Sequence, residues 1–148
     1  MGCGYHEGGE PHKITVRVGN NERRNYSLYD FEDSTVWISS LNFKQDKIKF
    51  YFKRSSPTLT SLIFFAGDQS SIVNWKRYSR PKIIAVYIND KHWTDLHFED
   101  CTCRQEFEFA PIYISKRDFI LSFVIKEIYK GEDERVAISD IDFDGPGA

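Results

Sequence analysis

The sequence predicts an all-β fold, a β-sandwich of the jelly-roll kind, on three observations. Short alternations of apolar and polar residues recur along the chain, turn residues close almost every one, and aromatic residues make up 16% of the sequence, including 12 Phe and 8 Tyr. Aromatic and β-branched side chains suit a pleated, half-buried surface. No convincing amphipathic helix and no internal repeat breaks the series, and many short strands with frequent turns argue for two packed sheets.

In chain order, residues 14–18 place Ile14, Val16 and Val18 on one face, and Gly19-Asn20-Asn21 closes that strand. Residues 26–37 hold short apolar pieces around the acidic run Asp30-Phe31-Glu32-Asp33. Residues 47–53 alternate cleanly, with Ile48, Phe50 and Phe52 opposite Lys47, Lys49, Tyr51 and Lys53. The continuous apolar run 61–66 predicts a strand covered on both faces, ended by Gly67. A polar loop is expected from there to Arg80. Residues 82–88 form the next strand, and the turn Asn89-Asp90 lets residues 93–98 pair back as a hairpin. Residues 105–109, 119–129 and 136–143 complete eight or nine strands.

A chain of 148 residues fits one domain and can bury a large core without staples. The expected organisation is a flexible N-terminal tether over residues 1–12 and a single sandwich domain over 13–148. A net charge of -2 supplies no basic field for nucleic acid. No run approaches the ~20 apolar residues of a membrane helix. The three cysteines do not make a disulfide framework or a zinc pattern. Cys101 and Cys103 read either as a small bridged ring or as two reduced thiols beside a strand. Cys3, followed by the Gly-rich polar segment 4–12, has two readings as well. It is the lipid-anchor cysteine of an exported bacterial protein, or an incidental cysteine in a disordered terminus.

Three islands resemble a known family. The run Asp30-Phe31-Glu32-Asp33-Ser34-Thr35-Val36-Trp37 resembles the Asp-Gly-Asp/Asn-Pro-Ser-Thr-Ala-Trp loop of discoidin-like carbohydrate-binding domains. Tyr78-Ser79-Arg80-Pro81-Lys82 resembles the Asn-x-Arg-Pro-Lys entry to a central strand in the bacterial NADase-type glycan-binding branch. Residues 96–100, Gln105, residues 125–131 and Ile138-Ser139-Asp140-Ile141 follow that branch's order. The resemblance covers roughly residues 26–143 and implies a galactose-binding-like sandwich. It implies an exported, non-catalytic module at a bacterial cell surface or in the periplasm, recognising a glycan or a protein. The alternative is a structural or adhesion-type interaction domain with no sugar site. The chain departs from the pattern at Phe31, where the family loop has Gly, and at Asp33, where it has Pro.

The resemblance also implies a structural calcium ion. Calcium takes six to eight oxygen ligands at about 2.3–2.6 Å. Carried over by position, the donors are Asp30, Glu32, Thr35 and the Asp140 carboxylate, with carbonyls near Ser27 and Ser139. The other reading is an acidic turn with Asp33 or Ser34 bonded to its own backbone.

The segment before Arg80 carries the candidate ligand-binding residues Gln69, Asn74, Trp75, Arg77, Tyr78 and Arg80. An aromatic ring can cover the C–H face of a sugar while Asn and Arg bind its hydroxyls. The same residue types anchor protein interfaces. A third reading packs Trp75 and Tyr78 under a fixed loop with Arg80 stacked on it.

No catalytic constellation stands out. His6 and His12 lie in the tether, and His92 and His97 flank a hairpin with no nucleophile elbow. A Cys101–His97 pair is the one nucleophilic arrangement the spacing permits. The carboxylate pairs Glu99-Asp100 and Glu132-Asp133 read as solvated turns. The expected class is therefore a binding module and not an enzyme.

Overall fold

The computed structural model describes residues 13–18, 21–24, 36–52, 59–112 and 119–144, with backbone alone at 13–18, 21–24 and 119. It is built of β1 (Lys13–Val18), β2 (Asn21–Arg24), β3 (Trp37–Ile38), β4 (Lys47–Phe52), β5 (Leu59–Ala66), α1 (Ile72–Arg77), β6 (Tyr78–Ile88), β7 (Lys91–His97), β8 (Arg104–Ile112), β9 (Phe119–Tyr129) and β10 (Asp133–Asp144). One antiparallel sheet runs β2-β1-β4-β9-β6-β7, and a second runs β8-β5-β10-β3. They join at a corner where the start of β10 pairs in parallel with the start of β6, Asp133 opposite Tyr78 and Val136 opposite Ser79.

The two sheets meet through the residues that alternation placed inward. Ile48, Phe50 and Phe52 of β4 are buried, as are Leu121, Phe123 and Ile125 of β9. From the opposite sheet come Leu62 and Phe64 of β5 and Ile138, Ile141 and Phe143 of β10. Phe143 meets Phe50 at 4.8 Å and Phe52 at 5.3 Å, both edge-on. Phe64 meets Phe123 edge-on at 5.5 Å. Edge-to-face pairs suit the aromatic quadrupole and add about 0.5–1.5 kcal/mol each beyond the area they bury.

The hairpin at Asn89-Asp90 forms as the turn chemistry predicts. Both residues take positive φ, 49° and 67°, matching the twist of a two-residue β-turn. The Asn89 amide donates to the Ile120 carbonyl, and its side-chain Oδ1 accepts from the Ile120 N–H, each at 2.9 Å. Pro81 sits inside β6 without an amide to give. The ladder to β9 slips between Pro81 and Ile83, so the missing donor falls at a register shift.

Four expectations change. The polar loop before Arg80 contains a helix of six residues, α1, and β6 begins at Tyr78 rather than at residue 82. The turn after β1 leads into another strand, β2, which pairs back on it. Strand β8 continues past residue 109 to Ile112. Cys101 and Cys103 are joined as a disulfide with their Cα atoms 5.3 Å apart, which replaces the reading of two reduced thiols. Residues 25–35, with the acidic loop, and residues 1–12, with Cys3, lie outside the described residues.

Candidate functional site

One end of the sandwich is built by three connections: residues 67–71 leading into α1, the bridged loop 98–103, and the β9–β10 turn. Helix α1 starts at Ser71, whose hydroxyl accepts from the Asn74 N–H at 3.1 Å. A serine there satisfies one of the amides a helix start leaves unpaired. The helix stops where Tyr78 returns to extended backbone, its N–H donating to the Asn74 carbonyl.

Trp75 is the buried residue of α1. The Arg80 guanidinium lies 5.1 Å from its ring centroid. Arg80 also donates Nε and Nη2 to the two oxygens of Asp100, both at 3.0 Å. Its Nη1 reaches the carbonyls of Trp75 and Tyr78, both at 3.2 Å. This is the planar fork that arginine supplies and lysine does not. Behind the ring, Gly67 takes φ +75°, and a Cβ there would strike the Trp75 ring and come 2.7 Å from Arg80 Cγ. Glycine is thus required at residue 67 by conformation and by space.

The remaining candidates divide. Gln69 is tied inward, its Nε2 donating to the Ala66 carbonyl at 3.0 Å and to the Cys103 carbonyl at 3.5 Å. Asn74 donates to the Ser70 hydroxyl at 3.1 Å. Tyr78 is half-buried, with the Arg135 guanidinium 5.7 Å from its ring centroid. Arg77 is exposed beside Lys76. The structure therefore gathers Gln69, Trp75 and Arg80 into a lock inside the end of the sandwich and leaves Arg77 and the edge of Tyr78 outward. The sequence reading took Asp100 and Asp133 for solvated turn carboxylates, where the structure pairs them with Arg80 and Arg135, and it passed over Arg135. It also missed the two residues the lock presents: Ile72 is 63% exposed and Val73 is 68% exposed.

The β9–β10 turn fastens the other side. Ser79 donates its hydroxyl to the Asp133 carbonyl at 2.7 Å and accepts from the Gly131 N–H at 3.0 Å. The Glu132 amide reaches the Lys76 carbonyl at 3.2 Å. The Arg135 guanidinium clasps both oxygens of Asp133, Nε reaching Oδ1 at 3.2 Å and Nη2 reaching Oδ2 at 2.6 Å. Hydrogen bonds from Arg135 hold the Asp133 carboxyl down to about 2. A depressed carboxyl stabilises the fold above its unfolded-state value of about 3.9, and that stabilisation fades as pH falls toward about 2. The urea midpoint of the native protein is expected to drop more between those pH values than that of Asp133→Asn. Parallel curves for the two proteins would remove this pair from the acid response.

Of the four calcium candidates, Asp140 alone is described, and its Oδ1 accepts from the Ile141 N–H at 2.9 Å. Asp30, Glu32 and Thr35 lie outside the described residues. Among the described residues no three His, Cys, Asp or Glu side chains converge on a point, so the structure assigns no metal geometry. Cys101 is held in its bridge to Cys103, and His92 pairs with Asp95 at 2.8 Å.

Comparison with known proteins agrees with this architecture. Residues 5–144 match the family described as NAD glycohydrolase translocation F5/8 type C domain. No curated protein matches the sequence. Two solved structures share the fold. The family 32 carbohydrate-binding module of Clostridium perfringens NanJ, in complex with galactose, superposes with a TM-score of 0.55 at 10% identity, covering 88% of this chain and 90% of that one. The Clostridium perfringens module CpGH89CBM32-5, in complex with GalNAc-β-1,3-galactose, gives 0.57 at 10% identity, covering 90% and 94%. At such identity the likeness is one of fold.

Proposed function

We propose that this chain, which belongs to the NAD glycohydrolase translocation F5/8 type C domain family, is a non-catalytic binding module that docks on a protein partner at a cell surface through the tip of α1. The observation that carries this reading is the exposure of Ile72 and Val73 on a helix fixed from behind by Trp75 and Arg80. A rigid apolar tip loses little conformational freedom on binding. Lys76 and Arg77 in the last turn of α1 favour an acidic partner. The Cys101–Cys103 bridge supports export, since disulfides persist in oxidising compartments.

Glycan recognition is the second reading. It is favoured by the two clostridial modules, one solved with galactose and one with GalNAc-β-1,3-galactose. At the α1 end it would use Arg77 and the outer edge of Tyr78, because Trp75 lies under Arg80.

The test places a photo-crosslinking amino acid at residue 73 and, as a control, at the exposed residue 126 of β9, and applies both proteins to intact cells of the source organism. A discrete protein adduct from residue 73 that Ile72→Asp abolishes is the expected result. Equal labelling from both positions overturns the docking reading. Binding to arrayed glycans that Arg77→Ala removes would move the assignment to sugar.

Calcium is proposed as a structural ion for loop 30–35 and Asp140. Calcium is expected to raise the melting temperature by binding the native state, with a chelator reversing the shift and Asp140→Ala removing it. Identical melts with calcium and with chelator take the ion out of the account.

A further inference from the structure

The connection from β7 to β8 is fastened at its base by bonds that do not involve its disulfide. The Phe98 N–H donates to the Lys82 carbonyl at 2.9 Å, and the Tyr129 hydroxyl donates to the Phe98 carbonyl at 2.7 Å. The Gln105 side chain then ties the two ends of the loop together. Its Oε1 accepts from the Glu99 N–H and its Nε2 donates to the Glu99 carbonyl, each at 2.9 Å. The Cys101–Cys103 bridge lies inside that clamp, with Thr102 alone between the two cysteines. In the chain-entropy account a bridge restricts the unfolded chain more the longer the loop it closes, so a ring this short adds little to the stability of the whole fold.

The ring instead fixes the tip of the loop, and both of its ends reach toward α1. Immediately before it, Asp100 takes Nε and Nη2 of Arg80, the residue that covers Trp75. At its other end, the Cys103 carbonyl accepts from Gln69 Nε2 at 3.5 Å, in the segment that leads into the helix. The bridge thereby holds two anchors of α1 at one fixed spacing. It is also open to solvent, for Thr102 is exposed and both cysteines are partly exposed. Access of this kind is a condition for attack by an external thiolate.

We propose that the Cys101–Cys103 bridge is a site of reversible thiol–disulfide exchange with a dithiol reductant, and that its redox state sets how firmly the first turn of α1 is held. A thiolate of the dithiol attacks one sulfur of the bridge. The protein S–S bond breaks, a mixed disulfide forms, and the other protein sulfur leaves as a thiolate. The second thiol of the reductant resolves the mixed disulfide, closing its own S–S bond and releasing the second protein sulfur. Two electrons pass to the protein, the dithiol is oxidised to a disulfide, and the two protons it gives up are taken by the sulfurs of Cys101 and Cys103. Once the ring is open, residues 101–103 rotate freely, and Asp100 and the Cys103 carbonyl are no longer held together against Arg80 and Gln69. The end of α1 stays tied by the Glu132 N–H to the Lys76 carbonyl at 3.2 Å, so release is confined to the start of the helix. The switch acts on the chain alone and does not depend on what the α1 tip docks on.

The test uses the full chain carrying Cys3→Ser, labelled with 15N, and follows amide hydrogen exchange before and after dithiothreitol. Mass spectrometry reports opening of the bridge as a gain of two hydrogens. The Trp75 N–H, bonded to the Ser71 carbonyl at 2.9 Å, is expected to exchange about tenfold faster in the reduced protein, the worth of one or two hydrogen bonds. Amides of β4 and β9 are expected to keep their rates, and reoxidation is expected to restore Trp75. A Cys101→Ser, Cys103→Ser protein is expected to match the reduced state and to ignore dithiothreitol. Asp100→Asn is expected to exchange fast at Trp75 while still bridged and to gain little more on reduction. The proposal is overturned if the bridge stays closed under dithiothreitol in the folded protein, or if it opens without a change at Trp75. It is equally overturned if exchange rises alike across β4 and β9, since the bridge would then be a staple of the whole fold.

Discussion

Arg80→Ala is expected to destabilise the protein by roughly 2–4 kcal/mol and to free α1 from the end of the sandwich. Three separate losses make up that figure. Asp100 loses both bonds of a two-pronged charge-assisted pair. The carbonyls of Trp75 and Tyr78 lose their donor in a place where water enters poorly. The Trp75 ring loses the cation that covers it, worth about 0.5–2 kcal/mol by itself. The readouts are the urea midpoint and the tryptophan emission maximum, which is expected to shift to the red before global unfolding as Trp75 meets water. Arg80→Lys is not expected to rescue, because an ammonium cannot hold two carboxylate oxygens and two carbonyls in one plane. A double-mutant cycle with Asp100→Ala separates the pair from the rest, and a coupling near zero would show that the carboxylate contributes nothing. An Arg80→Ala protein as stable as the native one would mean that α1 is held by something other than this lock. The rigidity of the tip at Ile72 and Val73 would then rest on that other anchor.

What could be read from the sequence follows from how far each signal reaches. Strand β4 is legible because its apolar residues alternate over enough positions to specify a buried face, β6 and β9 because apolar runs are closed by turn residues, and Asn89-Asp90 specifies the β6–β7 hairpin locally. Helix α1 was not legible because six residues span less than two turns, too short for helical periodicity to separate from a polar loop. A signal did exist. Ser71 immediately before Ile72 is a good helix-capping residue, and Lys76 with Arg77 suits the last turn. The aromatic and basic residues before Arg80 stand out as a group in the sequence, but their roles depend on partners distant in sequence. Trp75 is packed because Arg80 covers it, and Arg80 is fixed because Asp100 lies 20 residues on. No local pattern carries that information.

Phe64→Ala is expected to cost about 3–5 kcal/mol, the usual range for emptying a buried aromatic site. Phe64 is fully buried on β5 and meets Phe98 at 5.1 Å, Phe107 at 6.0 Å and Phe123 at 5.5 Å. Those partners lie just after β7, on β8 and on β9, so one ring ties its neighbour β8 in the second sheet to two elements of the first. Domains hold only about 5–15 kcal/mol of net stability. The variant is therefore expected to be partly unfolded at growth temperature, with a urea midpoint far below native and an unchanged slope. Phe64→Leu, which keeps most of the volume, is expected to lose less than half as much. The comparison discriminates between two sources of cohesion. If the leucine variant falls nearly as far as the alanine variant, the edge-on ring contacts carry the interface between the sheets. If it stays near native, filling the volume is sufficient, and the aromatic enrichment of this chain serves strand formation more than inter-sheet adhesion. Either way the cost arises at the centre of the sandwich and outside the α1 lock.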